Sequence, residues 1–215
     1  NYESTTMKPE DFRVVYDEYE NFLRRCGKID FDDMLVFTYE LLSERPDILK
    51  MWQNKFRYIL IDEFQDINMI QYDIVKLLAG ERQNVFSVGD DDQSVYGFRG
   101  AAPAIMKKFP EDFHGTVIEY LNVNYRCSYD IVECSKRIIQ NNRDRYEKQL
   151  RSAFAAGQSD RVHIVKTDSM TEQNKKIIDR ITELNRAGIP YREMAIIFRT
   201  NTEPRALASK LMENG

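Results

Sequence analysis

The chain is poor in the residues that build disulfide frameworks and soft-metal sites. Its 215 residues hold three cysteines and two histidines. Cys26, Cys127 and Cys134 form no C-x-x-C pair and match no zinc spacing, so reduced cytosolic thiols are the expectation. His114 and His163 stand alone and far apart, and no metal is assigned to them. No apolar run approaches the roughly 20 residues of a membrane span, and no signal peptide is present. Low-complexity segments and internal repeats are also missing. The net charge is −4, so no whole-chain basic field announces a nucleic-acid partner. A local basic groove would suffice for one.

What is there is enough for a packed core. Hydrophobic residues make up 42% of the chain, with 12 Tyr and 12 Phe. The length allows one large domain or two small ones. The first residue is Asn1, so the chain reads as a cut through a longer protein. Residues 9–26 place Phe12, Val15, Tyr16, Tyr19, Phe22 and Leu23 at helical spacing, with Pro9 suited to the first turn and Gly27 to the end. Further helices are expected at 31–43 and 46–55. The period then changes. Residues 56–61, Phe-Arg-Tyr-Ile-Leu-Ile, read as a buried strand of a parallel sheet. A helix at about 69–80 should turn Ile70, Ile74, Leu77 and Leu78 to one face. Strands are expected at 85–89, 116–121, 162–166 and 194–198. Helices are expected at 128–142, with Ile131, Ser135, Ile138 and Ile139 inward, and at 171–187 and 204–212. The stretch 143–161 reads as polar and irregular. Strand and helix alternate, and polar residues gather at strand C-termini, which is the α/β sandwich pattern. Ligands of open parallel sheets bind outside those strand ends.

Three constellations sit there. The first strand runs into Asp62-Glu63-Phe64-Gln65-Asp66. Two adjacent carboxylates after an apolar strand meet the needs of a Walker B site, where one holds Mg²⁺ and the other takes a proton from the attacking water. The alternative is a solvated strand end or a helix N-cap. The second strand runs into Gly89-Asp90-Asp91-Asp92-Gln93. There the neutral amide of Gln93 could hydrogen-bond a terminal phosphate oxygen. Tyr96, Phe98 and Arg99 come a few residues on, interleaving rings with a cation as single-strand stacking requires. Core packing of the two rings, with the acidic run capping a turn, is the alternative. The third is Asn124-Tyr125-Arg126. Tyr125 could stack on an adenine, and Arg126 could reach a γ-phosphate as an arginine finger.

Taken together, DEFQD (62–66), GDDDQSVYGFRGA (89–101) and NVNYRCS (122–128) resemble motifs II, III and IV of the UvrD/Rep-type superfamily 1A DNA helicases, in order. IDFDDML (29–35) and IIFRTN (196–201) resemble flanking family segments. The resemblance covers nearly the whole chain. It implies an α/β fold, a RecA-like parallel sheet flanked by helices, with the start of a second RecA-like α/β domain. Residues 1–121 would be the C-terminal part of domain 1A with the end of 1B, and 122–215 the N-terminal part of domain 2A. It implies an ATP-dependent motor that moves on single-stranded DNA and unwinds duplex junctions, in a bacterial, cytoplasmic, nucleoid-associated setting. By the same resemblance Asp62 would coordinate Mg²⁺ and Glu63 would be the catalytic base. Gln93 would couple the γ-phosphate to DNA. Tyr96 and Phe98 would stack on DNA beside Arg99, while Tyr125 would stack on the adenine and Arg126 would contact the γ-phosphate. Phe98 departs from the family, which often has Trp there, and Cys127 departs from the usual Ser or Thr.

One part of such a motor is missing. No G-x-x-x-x-G-K-[ST] occurs, and Gly27-Lys28 is followed by Ile29. The phosphate-cradling loop is expected before Asn1, and this chain alone is expected to be inactive. Two rival readings stay open. One is a metal-dependent nuclease holding two metals on Asp62, Glu63, Asp66 and the Asp90–Asp92 run. The other is a non-catalytic helicase-like module that binds DNA or a protein.

Overall fold

The computed structural model describes residues 7–95, 104–142, 145–157, 162–200 and 202–213. Tyr96, Phe98 and Arg99 lie outside the described residues. The chain divides into two compact units, Asn1–Cys127 with Val132–Phe154, and Ser128–Ile131 with Ala155–Gly215.

The first unit opens with three helices whose ends arise from local chemistry. Helix α1 (Pro9–Cys26) has proline in its first turn and ends on Gly27 at φ 60, whose N–H reaches the Arg24 carbonyl. Glycine meets no steric penalty in that left-handed position. Helix α2 (Phe31–Glu44) starts from a reciprocal capping box between Asp30 and Asp33, and α3 (Pro46–Lys55) again starts on proline. Helix α1 buries none of its residues, although its apolar spacing is helical.

Strand β1 (Ile59–Ile61) pairs in parallel with β2 (Val85–Ser87), Ile59 opposite Val85 and Leu60 opposite Phe86. Helix α4 (Met69–Ala79), capped by an Asn68–Gln71 box, makes the crossover between them. Alternate residues of a strand face opposite ways. Ile59, Ile61 and Val85 therefore pack on one core, formed by Phe64, Tyr72, Ala79, Ile105, Phe109 and Phe113. Leu60 and Phe86, a register pair on the other face, are 75% and 61% exposed. The sheet is thus buried on one face only, where the unbroken apolar run predicts two. On α4 the buried positions are Tyr72 and Ala79, with Val75 packed beside them. Ile70 is exposed rather than inward.

Helix α5 (Ala104–Asp112) closes this core with Ile105 and Phe109. The sequence reading assigns no element there, and the helix forms with Pro110 inside it. A second parallel pair joins β3 (Val123–Asn124) to β4 (Arg151–Ser152). Helix α6 (Tyr129–Ile139) buries Val132, while Ile131 and Ile138, expected inward, are exposed. In the second unit α7 (Met170–Arg186) packs with α8 (Pro204–Glu213). Leu207 and the polar Asn174 are buried in this unit.

Three expected strands do not form. Residues 116–121, 162–166 and 194–198 carry no strand, and Val117, Ile164 and Ile197 are 79%, 89% and 93% exposed. A strand exists only where a neighbour takes its backbone hydrogen bonds. No described segment does so for these three. The cysteines are free. Among the described residues no helix is long and apolar enough to cross a membrane.

Ile105, 1% exposed at the centre of the core, sets a stability test. Ile105→Ala should destabilise the first unit by about 2–5 kcal/mol in chemical denaturation. Ile70→Ala on the exposed side of α4 should change stability by no more than about 0.5 kcal/mol.

Candidate functional site

The site grows from the carboxyl ends of β1 and β2. Val88 N–H donates to the Ile61 carbonyl at 2.8 Å, and Phe64 N–H donates to the Val88 carbonyl at 2.9 Å. Between those bonds the chain must turn sharply. Glu63 makes the turn in the left-handed region, at φ 50 and ψ 44. A side chain held there costs about 1–3 kcal/mol, and such strain gathers at functional positions. Neighbouring contacts offset the cost. Phe64 is anchored in the core at 3% exposure, and Asp66 N–H closes the turn on the Glu63 carbonyl at 2.9 Å. The result leaves both Asp62 and Glu63 exposed. Asp62 Oδ1 accepts the Glu63 N–H at 2.9 Å.

Gln65 connects this turn to the second strand end. It is 1% exposed, so both ends of its carboxamide need partners. Its Nε2 donates to Glu63 Oε2 at 2.7 Å, and its Oε1 accepts from Asp90 N–H at 2.9 Å. The approach depends on Gly89. A Cβ there would stand 2.8 Å from Gln65 Oε1 and 3.2 Å from the Gln65 backbone nitrogen. Asp90 then caps the short turn Asp91–Gln93, accepting from Asp92 N–H at 3.2 Å. Its Oδ2 accepts from Gln93 Nε2 at 2.8 Å. Glu63 and Gln93, two residues singled out by the sequence, are therefore joined through Gln65 and Asp90.

A segment from much later in the chain folds onto the acidic turn. Lys148 Nζ contacts Asp90 and Asp91 and lies 3.0 Å from Asp92 Oδ2. Arg145 places Nε 2.7 Å from Asp92 Oδ1 and its terminal nitrogen 2.6 Å from Oδ2. Tyr146 N–H donates to Asp91 Oδ2 at 2.7 Å. The Tyr146 hydroxyl donates to the Met106 carbonyl at 3.0 Å. That carbonyl is available because Pro110, four residues on in α5, has no N–H to offer it. The charges respond to each other. The Arg145 hydrogen bonds hold the Asp92 carboxyl below its ordinary value of 3.8. Burial alone would raise Asp90, but Lys148 and Gln93 outweigh it and hold it low. Burial alone would lower the Lys148 ammonium, and its bonds to the three aspartates hold it above an ordinary lysine.

Tyr125 and Arg126 stand apart from this network, both exposed just after β3. Asn124 Oδ1 shapes their turn, accepting from Arg126 N–H at 2.9 Å and Cys127 N–H at 2.7 Å. The sequence missed Gln65, Arg145, Tyr146 and Lys148. Gln65 lay inside a recognised string but carried no assigned role. The other three lay in a stretch read as irregular; only the charge of Arg145 and Lys148, opposite to the Asp90–Asp92 run, could have drawn attention to it, and nothing marked Tyr146.

The comparisons agree with the motif order. Residues 1–114 match the model of the UvrD/REP helicase N-terminal domain, and residues 119–215 match that of the UvrD-like helicase C-terminal domain. The chain is 38% identical over 200 residues to YjcD of Bacillus subtilis (strain 168), covering 93% of the chain and 26% of that protein. It is 35% identical over 212 residues to the ATP-dependent DNA helicase PcrA of Staphylococcus aureus (strain Mu50), covering 99% of the chain and 29% of that protein. It is 36% identical over 201 residues to PcrA of Staphylococcus epidermidis, covering 94% of the chain and 27% of that protein. The chain thus spans less than a third of the length of these relatives. Its fold is α/β and RecA-like. With a family model matching more than half its length, two ordered motif-bearing strand ends and relatives along nearly its whole extent, the chain belongs to the UvrD/REP helicase family.

Proposed function

We propose that this chain carries the metal-binding and water-activating part of an ATP-dependent DNA helicase, a motor that moves on single-stranded DNA and unwinds duplex at junctions. The observation that carries the reading is the hydrogen-bond chain Glu63–Gln65–Asp90–Gln93 across adjacent strand ends. In this reading a carboxylate suited to water activation and an amide suited to phosphate sensing share one hydrogen-bond network. The PcrA relatives, named as ATP-dependent DNA helicases, support the same assignment.

Bound ATP with Mg²⁺ supplies the phosphoanhydride to be cleaved and the cation that neutralises its charge. Asp62 fits the cation chemically. Its carboxylate is a hard oxygen ligand, exposed at a strand end, and would hold the cation there. Glu63 takes the water proton. Gln65 donates to Oε2 of Glu63, which restricts the torsion of the carboxylate and leaves Oε1 as the oxygen that would take the proton. Gln93 exchanges its bond to Asp90 for a terminal phosphate oxygen. Tyr125 stacks on the adenine, and Arg126 stabilises charge on the γ-phosphate. Tyr96 and Phe98 stack on DNA bases beside Arg99. In this reading residues 1–121 belong to the first motor domain and 122–215 to the second. A two-metal nuclease is disfavoured, because Lys148 already satisfies the three aspartates that would hold the second metal.

The chain contains no Walker A loop, so purified by itself it should hydrolyse no ATP above background, with or without DNA. DNA-stimulated turnover by the isolated 215 residues would overturn this assignment. In the full-length protein Glu63→Gln should lower kcat by about 10²–10⁴ while leaving ATP affinity within a few fold. Separate binding and turnover assays check this, and lost binding with intact turnover would contradict the base role. Tyr96→Ala in the full-length protein should weaken single-strand binding by about 1–3 kcal/mol. DNA-free ATPase should change little, as read by fluorescence anisotropy alongside a coupled hydrolysis assay.

A further inference from the structure

Three carboxylates whose oxygens lie within 4.8 Å of one another repel unless a cation sits among them. Asp90, Asp91 and Asp92 find theirs within the chain. The Lys148 ammonium has three donors, and its nitrogen meets one oxygen from each aspartate. It is 19% exposed, and Asp91 beside it 8%. Arg145 grips Asp92 with two hydrogen bonds, and the Tyr146 hydroxyl pins the segment to α5 at the carbonyl that Pro110 leaves open. The key carboxylate is Asp90. Its Oδ1 takes Lys148 and the Asp92 N–H, while its Oδ2 takes Gln93 Nε2. One planar group thus joins the lysine to the sensor amide.

We propose that Lys148 is a positioning residue for Gln93, acting through Asp90, and that residues 145–148 form an ionic clamp that sets where the sensor amide stands. Without the ammonium, three like charges repel across a three-residue turn. Asp90 is then free to rotate, and Gln93 loses the acceptor that parks it. The ammonium also sits where the three carboxylates converge, so the acidic run is an internal ion-pair partner and takes no divalent ion. The effect on turnover rests on the reading of Gln93 as a phosphate sensor; the clamp itself does not.

The test uses the full-length protein and separates the two. Lys148→Met should lower DNA-stimulated kcat about tenfold with KM for ATP within twofold, and Lys148→Arg should recover at least half of the loss. In a Gln93→Ala background Lys148→Met should change kcat less than twofold. A tenfold loss that persists without Gln93, or an unchanged kcat in Lys148→Met, overturns the positioning role. Wild-type protein without any ATPase removes the sensor reading and the turnover effect with it. Reductive methylation followed by mass spectrometry reads the clamp without activity and without a variant that must fold. Lys148 should be modified at least tenfold more slowly than the exposed Lys175. Equal rates overturn the clamp.

Discussion

The carboxyl edge of the sheet depends on one buried carboxamide. Gln65 is sealed from water, so neither its N–H₂ nor its carbonyl can fall back on solvent. It must find a donor and an acceptor within the protein, and it finds them on two different strand ends. That requirement fixes the distance between the Glu63 turn and the Asp90 turn more tightly than the three-residue strands do. It also explains why Gly89 is needed, since a methyl there would stand 2.8 Å from the carbonyl oxygen of Gln65. The strained backbone at Glu63 is tolerable for the same reason. Phe64 below and Gln65 beyond over-determine the turn, and a left-handed glutamate is the outcome.

Electrostatics then adds a second layer. The acidic turn carries three like charges, and its compensation comes from a segment separated from it in the chain by two helices, α5 and α6, and the strand β3. The proline in α5 has an unexpected part in this. By withholding one N–H it leaves the Met106 carbonyl open, and the Tyr146 hydroxyl takes it. A local helix defect thus becomes the anchor for a long-range ion-pair cluster. The signs of the pKa shifts agree. Asp90 and Asp92 are held low and Lys148 high, so the cluster gains from full ionisation. The Asp90 and Asp92 share is present above the ordinary carboxylate value of 3.8 and is lost as pH falls through their lower folded values.

Helix ends were the most legible feature of the sequence, because capping is local chemistry. Pro9 and Gly27 bound α1 as expected. The strand ends at Asp62 and Asp90 were legible too, since an apolar run meeting a cluster of acids is a one-dimensional signal. Pairing was not. Residues 116–121, 162–166 and 194–198 have strand composition and no strand, because composition does not supply a neighbour. Val132, and not Ile131, is the buried position of α6. A helical period gives the spacing of an apolar stripe, while its phase against the core is decided by the elements that pack there. Of the candidate site, single residues could be read and their couplings could not. Nothing local marks Lys148 as the partner of residues so far upstream.

The exposed pair Leu60 and Phe86 has a practical side. They sit opposite each other in register on the open face of a sheet, at 75% and 61% exposure. An apolar patch beside strand edges that no described residue pairs is where protein molecules first adhere to one another. A net charge of −4 offers little repulsion against that contact, and added salt screens the little there is. Concentration and ionic strength would therefore govern how long this chain stays dispersed in the tube, and a polar side chain at position 60 or 86 would be the first change to make for a sample meant for spectroscopy or crystals.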